Sequence, residues 1–154
     1  MSLQVGQKAP NFSLYDTEKN KVNLTDFSGK NVVVLFFPLA FTGVCTKELC
    51  TVRDNIALYN NLDAVVLAIS VDSFFTLQKF KQEQNLNFSL LSDFNKEASA
   101  SYDVLMDLFP AAEMRGVSKR AAFVVNPAGN LSYTEICELG VLPNFEAIQA
   151  VLKG

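Results

Sequence analysis

The sequence predicts a single α/β domain over residues 1–154, with a mixed central sheet flanked by helices. Two observations point to parallel strands buried on both faces: the continuously apolar runs Asn31–Phe37 and Ala64–Val71, each followed by apolar residues at helical spacing. A third is the late pair of strand-like runs around Asn126-Pro127-Ala128-Gly129-Asn130, a hairpin turn that adds antiparallel strands at one side.

In chain order, short alternating stretches at Phe12–Leu14 and Lys21–Leu24 flank the polar run Asp16–Asn20 and read as an N-terminal hairpin. The strand at 31–37 stops at Pro38. Val44, Leu49, Val52, Ile56 and Tyr59 then recur at helical spacing, so one helix is expected from near Gly43 to near Asn61. After the strand at 64–71, Ser73 is the expected cap of a helix over 74–84. A short strand follows at Phe88–Leu91, and Asp93 introduces a helix near Lys96–Tyr102. Residues 103–119 read as loop. Strands Arg120–Val125 and Leu131–Ile136 flank the late turn, and Asn144 caps a last helix with Phe145, Ile148, Val151 and Leu152 on one face.

Composition removes several function classes. With no histidine there is no Ser-His-Asp or Cys-His dyad, and three cysteines at these spacings match no common zinc site, so neither a metal nor a cofactor is expected. The net charge of -3, with basic residues scattered, gives no footprint for nucleic acid or an anionic membrane. The apolar runs fall far short of the ~20 residues of a bilayer span. No signal-like segment opens the chain, and three cysteines are too few for a secreted scaffold, so a cytoplasmic protein is expected.

In open α/β sheets, chemistry gathers beyond the carboxyl ends of the parallel strands, here residues 38–45. There Cys45 stands in the first turn of a helix that directly follows a buried strand. A free thiol is mostly protonated at pH 7, but the unpaired amides and positive end of a helix N-terminus stabilise its anion.

Pro38, Thr42 and Cys45, spaced Pro-x-x-x-Thr-x-x-Cys, resemble the active-site signature of the peroxiredoxins, which are thioredoxin-fold thiol peroxidases. The resemblance extends over nearly the whole chain, through Gly6–Phe12, Ser92-Asp93 and Arg120–Val125. Residues 36–43 are most similar to the AhpE-like group, with the BCP/PrxQ group second. It implies a thioredoxin-like fold with an N-terminal hairpin extension. It also implies that the thiolate of Cys45 attacks hydrogen peroxide or an organic hydroperoxide and becomes a sulfenic acid. Arg120 would hold thiolate and peroxide, Thr42 would hydrogen-bond both, Pro38 would shield the site, and Glu48 would orient an arginine. A homodimer and a thioredoxin-like or glutaredoxin-like reductant are implied as well. Each residue also has a bland reading: inert thiol, N-cap, strand terminator, first-turn acid, surface cation. Only their conjunction favours the peroxidatic one.

Disposal of the sulfenic acid stays open between Cys50, Cys137 and an outside thiol. Five residues along an intact helix place Cα atoms about 8.7 Å apart, beyond the ~7 Å that a disulfide bridges, so a Cys45–Cys50 bond requires unwinding. The five-residue spacing is that of the PrxQ-like group. Cys137 ends the last strand, two strands from the site and roughly 10 Å away, and reads as a packing residue. Two other functions compete: a non-turnover redox sensor, and a thioredoxin-like thiol-disulfide oxidoreductase. The latter lacks its Cys-x-x-Cys pair here, and Lys119-Arg120 stands where a thioredoxin carries proline. The phenylalanines Phe36, Phe37 and Phe41 are expected to favour an apolar substituent on the peroxide.

Overall fold

Every residue from Val32 to Phe37 is at most 1% exposed, so the strand they form is covered on both faces, as its unbroken apolar run requires. A computed structural model describes residues 2–154. Its strands are β1 (Ser13–Asp16), β2 (Lys21–Asn23), β3 (Asn31–Phe36), β4 (Ala64–Ser70), β5 (Ser89–Ser92), β6 (Ala121–Val125) and β7 (Leu131–Ile136). Its helices are α1 (Gly43–Asp54), α2 (Ile56–Asn61), α3 (Phe74–Gln84), α4 (Glu97–Ser101) and α5 (Phe145–Lys153). The strands make one mixed sheet in the order β2-β1-β5-β4-β3-β6-β7. β3, β4 and β5 are parallel, and the remaining pairings are antiparallel.

Alternation along β3 divides the core. Val33, Leu35 and Phe37 meet Leu49, Leu77, Phe80 and Ile148 from α1, α3 and α5, while Val32, Val34 and Phe36 meet Phe12, Tyr102 and Phe123 on the other face. Short-range polar groups set the boundaries. Asp16 accepts from the amides of Glu18 and Asn20 to turn the first hairpin, Ser73 accepts from the Thr76 amide, and Asn144 accepts from the Ala147 amide. In the late turn, Asn126 accepts from the amides of Ala128 and Asn130, and Gly129 supplies a φ of 89°.

The structure departs from the sequence reading at two places. The helix expected over 43–61 is two helices, broken at Asn55 (φ -117°, ψ 16°). Asn55 donates through its side chain to the Thr51 carbonyl and through its amide to the Val52 carbonyl, local bonds that compete with the helical ladder.

Residues 104–119, expected as plain loop, fold back on themselves as a narrow antiparallel arm. Lys119 donates to the Val104 carbonyl (2.6 Å), Met106 to Val117 (2.8 Å), and Phe109 to Met114 (2.7 Å) at the tip. Its base is anchored by Asp93, which accepts from the Ala98 and Ser99 amides and from the Ser99 hydroxyl, itself 2.6 Å from the buried Ser118 hydroxyl.

Candidate active site

The pairing of Phe36 with Ala121 puts Arg120, one residue before β6, beside the end of β3 where the chain enters α1. The connecting loop is tightly held. Asp72 accepts from the Ala40 amide (2.8 Å) and the Ser70 hydroxyl (2.7 Å), and Phe41 takes a left-handed φ of 68°. A bulky residue there is strained, and such strain concentrates at functional turns. Sequence reasoning missed Asp72 and Ser70, since nothing in the chain pattern links β4 to this loop.

Thr42 is the N-cap of α1 in extended conformation, and Thr46 makes the first helical bond back to its carbonyl (2.9 Å). Cys45 is therefore the third helical residue, within the turn whose amides lack helical partners and carry the positive end of the dipole. The Thr42 hydroxyl donates to the Leu39 carbonyl (2.8 Å), and its oxygen retains acceptor capacity.

Arg120 Nη1 lies 3.3 Å from Cys45 Sγ and 2.6 Å from Glu48 Oε1. All three side chains are buried: Cys45 1%, Glu48 0% and Arg120 6% exposed. Cys45 and Glu48, three apart, share one helix face, so one guanidinium serves both. Glu48 Oε2 and Arg120 Nε have no hydrogen-bond partner. Burial pushes the Glu48 carboxyl up to about 7, against the pull of Arg120 and with help from the Glu135 carboxylate. Cys45 and Glu48 thus share one guanidinium nitrogen.

The remaining cysteines differ sharply. Cys50 sits in α1, half-buried, with its thiol 3.5 Å from Gln84 Oε1. Cys137 follows β7, donates its amide to the Arg120 carbonyl, and has Sγ 3.7 Å from Glu135 Oε2. Burial and that carboxylate push its thiol up to about 12.

A cavity of about 310 Å³ opens onto Cys45, and Pro38, Thr42, Arg120, Phe109, Pro110 and Leu139 are among the residues that line it. A larger groove of about 570 Å³ beside Tyr15 and Phe75 holds no cysteine, so the smaller one is where thiol chemistry can occur. Pro38, Thr42, Cys45, Glu48 and Arg120 are thus brought together, with Cys50 and Cys137 outside the cavity lining. The expected apolar contribution of Phe36, Phe37 and Phe41 is corrected. The first two are fully buried core residues, and Phe41 stacks 5.0 Å from Phe80 and does not line the cavity. Among the described residues no cluster of three or more His, Cys, Asp or Glu side chains could hold a metal ion, and no helix is long and apolar enough to cross a membrane.

Residues 5–134 match the AhpC/TSA family. The chain is 39% identical over 132 residues to a protein named putative peroxiredoxin bcp from Coxiella burnetii, covering 86% of this chain and 87% of that one. It is 38% identical over 141 residues to alkyl hydroperoxide reductase E of Mycobacterium bovis, covering 90% and 88%. Among solved structures it is similar to peroxidoxin BcpB from Mycobacterium tuberculosis (TM-score 0.87, 26% identity, covering 98% and 97%). It is also similar to a reduced 2-Cys peroxiredoxin of Plasmodium vivax (TM-score 0.86, 28% identity, covering 98% and 81%).

Proposed function

The chain belongs to the AhpC/TSA family of thioredoxin-fold peroxiredoxins and is a thiol-dependent peroxidase, and within that activity we propose that Cys45 is the peroxidatic cysteine. The observation that carries the assignment is the 3.3 Å approach of Arg120 Nη1 to Cys45 Sγ at the first turn of α1. A permanent cation and the helix N-terminus both favour the thiolate, so no histidine base is needed.

The sulfur attacks the terminal oxygen of the hydroperoxide, an S–O bond forms, and the O–O bond breaks. The leaving alkoxide or hydroxide takes up a proton and departs as alcohol or water, while Cys45 remains as sulfenic acid, oxidised by two electrons. Arg120 donates to the peroxide oxygens as charge develops on them, which is where preorganised donors accelerate a reaction most. Thr42 accepts from the peroxide hydroxyl, Pro38 keeps bulk water off the sulfur, and Glu48 positions Arg120 through its 2.6 Å contact.

Cys50 then resolves the sulfenic acid by forming a disulfide with release of water. The alternative, Cys137, holds its proton to about pH 12 and is a poor nucleophile at neutral pH. A thioredoxin-like or glutaredoxin-like protein reduces the disulfide. The chain acts as one domain in the cytoplasm, where its free cysteines suit a reducing compartment. It acts as a homodimer, for which the exposed Phe75 and Phe94 are apolar surface to cover.

The test is peroxide consumption with a recycling thiol, comparing the wild-type chain with Cys45→Ser and Cys50→Ser. Loss of all turnover in Cys45→Ser is the expected result, whereas Cys50→Ser loses turnover with a protein reductant and keeps it only with a small thiol that attacks the sulfenic acid directly. Retained turnover in that variant would remove Cys45 from the reaction.

A further inference from the structure

The peptide unit between Leu39 and Ala40 is held at both ends. Its N–H, the Ala40 amide, donates to Asp72 Oδ2 (2.8 Å), and its carbonyl, on Leu39, accepts from the Thr42 hydroxyl (2.8 Å). A peptide unit is planar, so turning one end turns the other. Asp72, 32 residues from Ala40 in the chain, is thereby linked to the direction in which the Thr42 proton points.

Asp72 is itself fixed on β4 and β5. Its Oδ2 also accepts from the Ser70 hydroxyl (2.7 Å), its amide donates to the same Ser70 oxygen (3.2 Å), and its carbonyl accepts from the Ser92 hydroxyl (2.6 Å). Ser70 and Ser92 are cross-strand neighbours at the carboxyl ends of the two strands, and Ser70 is fully buried. The loop that Asp72 holds needs outside support. Phe41, between Ala40 and Thr42, stands at a φ of 68°, which a bulky residue keeps only where its surroundings impose it. Those surroundings are Asp72 on the Ala40 amide and the Phe80 ring 5.0 Å from that of Phe41.

We propose that Asp72 is a positioning residue for peroxide reduction: through the 39–40 peptide it commits the proton of the Thr42 hydroxyl to the Leu39 carbonyl, so that toward the cavity Thr42 only accepts. The inference rests on Cys45 being the peroxidatic cysteine and on Thr42 accepting from the peroxide hydroxyl. A hydroxyl has one proton and two lone pairs. With the proton spent on Leu39, a lone pair takes the O–H of the terminal peroxide oxygen and orients the O–O bond for attack by sulfur. The Asp72 carboxyl on the amide end polarises the peptide and makes the Leu39 carbonyl the stronger acceptor. Without it the peptide is free to turn, the Thr42 proton swings toward the cavity, and the peroxide O–H meets a donor in place of an acceptor. Asp72 takes no proton in the reaction. The terminal oxygen keeps its hydrogen and becomes the sulfenic hydroxyl as the S–O bond forms and the O–O bond breaks.

The experiment compares two reagents at the same sulfur: hydrogen peroxide, which presents an O–H to Thr42, and iodoacetamide, whose reacting carbon carries none. Loss of the Cys45 thiol is followed by quenched flow and peptide mass spectrometry. Asp72→Ala is expected to lower the second-order constant for peroxide about 30-fold and that for iodoacetamide less than about twofold. Asp72→Asn, whose amide oxygen can take the Ala40 and Ser70 donors, is expected to recover to within about threefold of wild type. Ser70→Ala, which loosens Asp72 without touching the loop, is expected to slow peroxide alone, by about threefold. Thr42→Val is expected to lose at least as much as Asp72→Ala, and adding Asp72→Ala to it costs less than about twofold more. Equal losses with both reagents would make Asp72 a support of the fold only and overturn the proposal. Losses that multiply in the double variant, or an unchanged peroxide constant in Asp72→Ala or Thr42→Val, would overturn it too. A failure of the Cys45 assignment shows separately, as turnover retained in Cys45→Ser.

Discussion

One guanidinium nitrogen of Arg120 lies 3.3 Å from the sulfur of Cys45, although 75 residues separate them in the chain. The approach follows from the sheet. β6 runs antiparallel to β3, so the residue entering β6 stands beside the turn that leaves β3.

That placement predicts a graded loss when the donor is altered. Removing a preorganised donor to developing charge costs about 10²- to 10³-fold in rate. Arg120→Ala is therefore expected to slow oxidation of Cys45 by at least about 100-fold. Arg120→Lys restores charge without the fork and recovers only part of it. Stopped-flow measurement of thiol loss against peroxide concentration checks this, and an unchanged constant in Arg120→Ala would exclude the arginine from the reaction.

Glu48 predicts an unusual pH dependence of stability. Its carboxyl is raised from 4.5 to about 7 by burial, so between those values the folded chain holds a proton that the unfolded chain releases. Stability carried by this group is complete below about 4.5 and declines as pH rises toward 7, by on the order of 3 kcal/mol. Urea titrations at pH 5 and pH 8 measure the slope. The difference profile between wild type and Glu48→Gln isolates the group from other carboxylates, and parallel profiles would mean that Glu48 titrates near its ordinary value.

Much of this site is legible in the chain because its determinants are local. The Pro38–Thr42–Cys45 spacing, the buried run before it, and an arginine opening a later apolar strand all survive without coordinates. The pieces that did not are long-range pairings of residues with no periodic pattern. The arm from Val104 to Lys119 is closed by backbone bonds and anchored by a serine pair, and neither leaves a hydrophobic signature. Phe109 consequently reads as a loop residue, while Phe36 and Phe37, adjacent to the motif in sequence, alternate into the two halves of the core. The break at Asn55 was hidden for another reason, since apolar spacing continues unchanged through it.

The anchoring of the arm is itself testable. Asp93 accepts three hydrogen bonds, two from amides opening α4, and is 1% exposed. Asp93→Ala leaves those donors unpaired in the interior and is expected to cost about 2–4 kcal/mol. Ser118→Ala removes a single hydroxyl and is expected to cost about 1 kcal/mol. Its clearer signature is faster amide hydrogen exchange at Met106 and Lys119, whose bonds close the arm. Unchanged exchange at those two amides would mean that the arm is held by its apolar contacts alone.

Resolution by Cys50 has a structural cost that supplies the last prediction. Cys45 and Cys50 lie in one intact helix, too far apart to bond, and the far end of α1 is pinned by Arg53 donating to the Gln84 carbonyl at 2.6 Å. Unwinding must therefore take place in the first two turns, and Glu48 lies between the two cysteines. Forming the disulfide draws Glu48 away from Arg120 and into water, where its carboxyl returns to near 4.5 and releases the proton it held. At pH 6 the wild-type enzyme is expected to release close to one more proton per disulfide than Glu48→Gln, read in a weakly buffered peroxide titration with a pH indicator. Helical circular dichroism falls in the same titration, and peptide mapping gives Cys45 bonded to Cys50. Cys50→Ser abolishes both signals and Cys137→Ser leaves them intact; a Cys45–Cys137 bond, or none with the helix unchanged, would refute the unwinding.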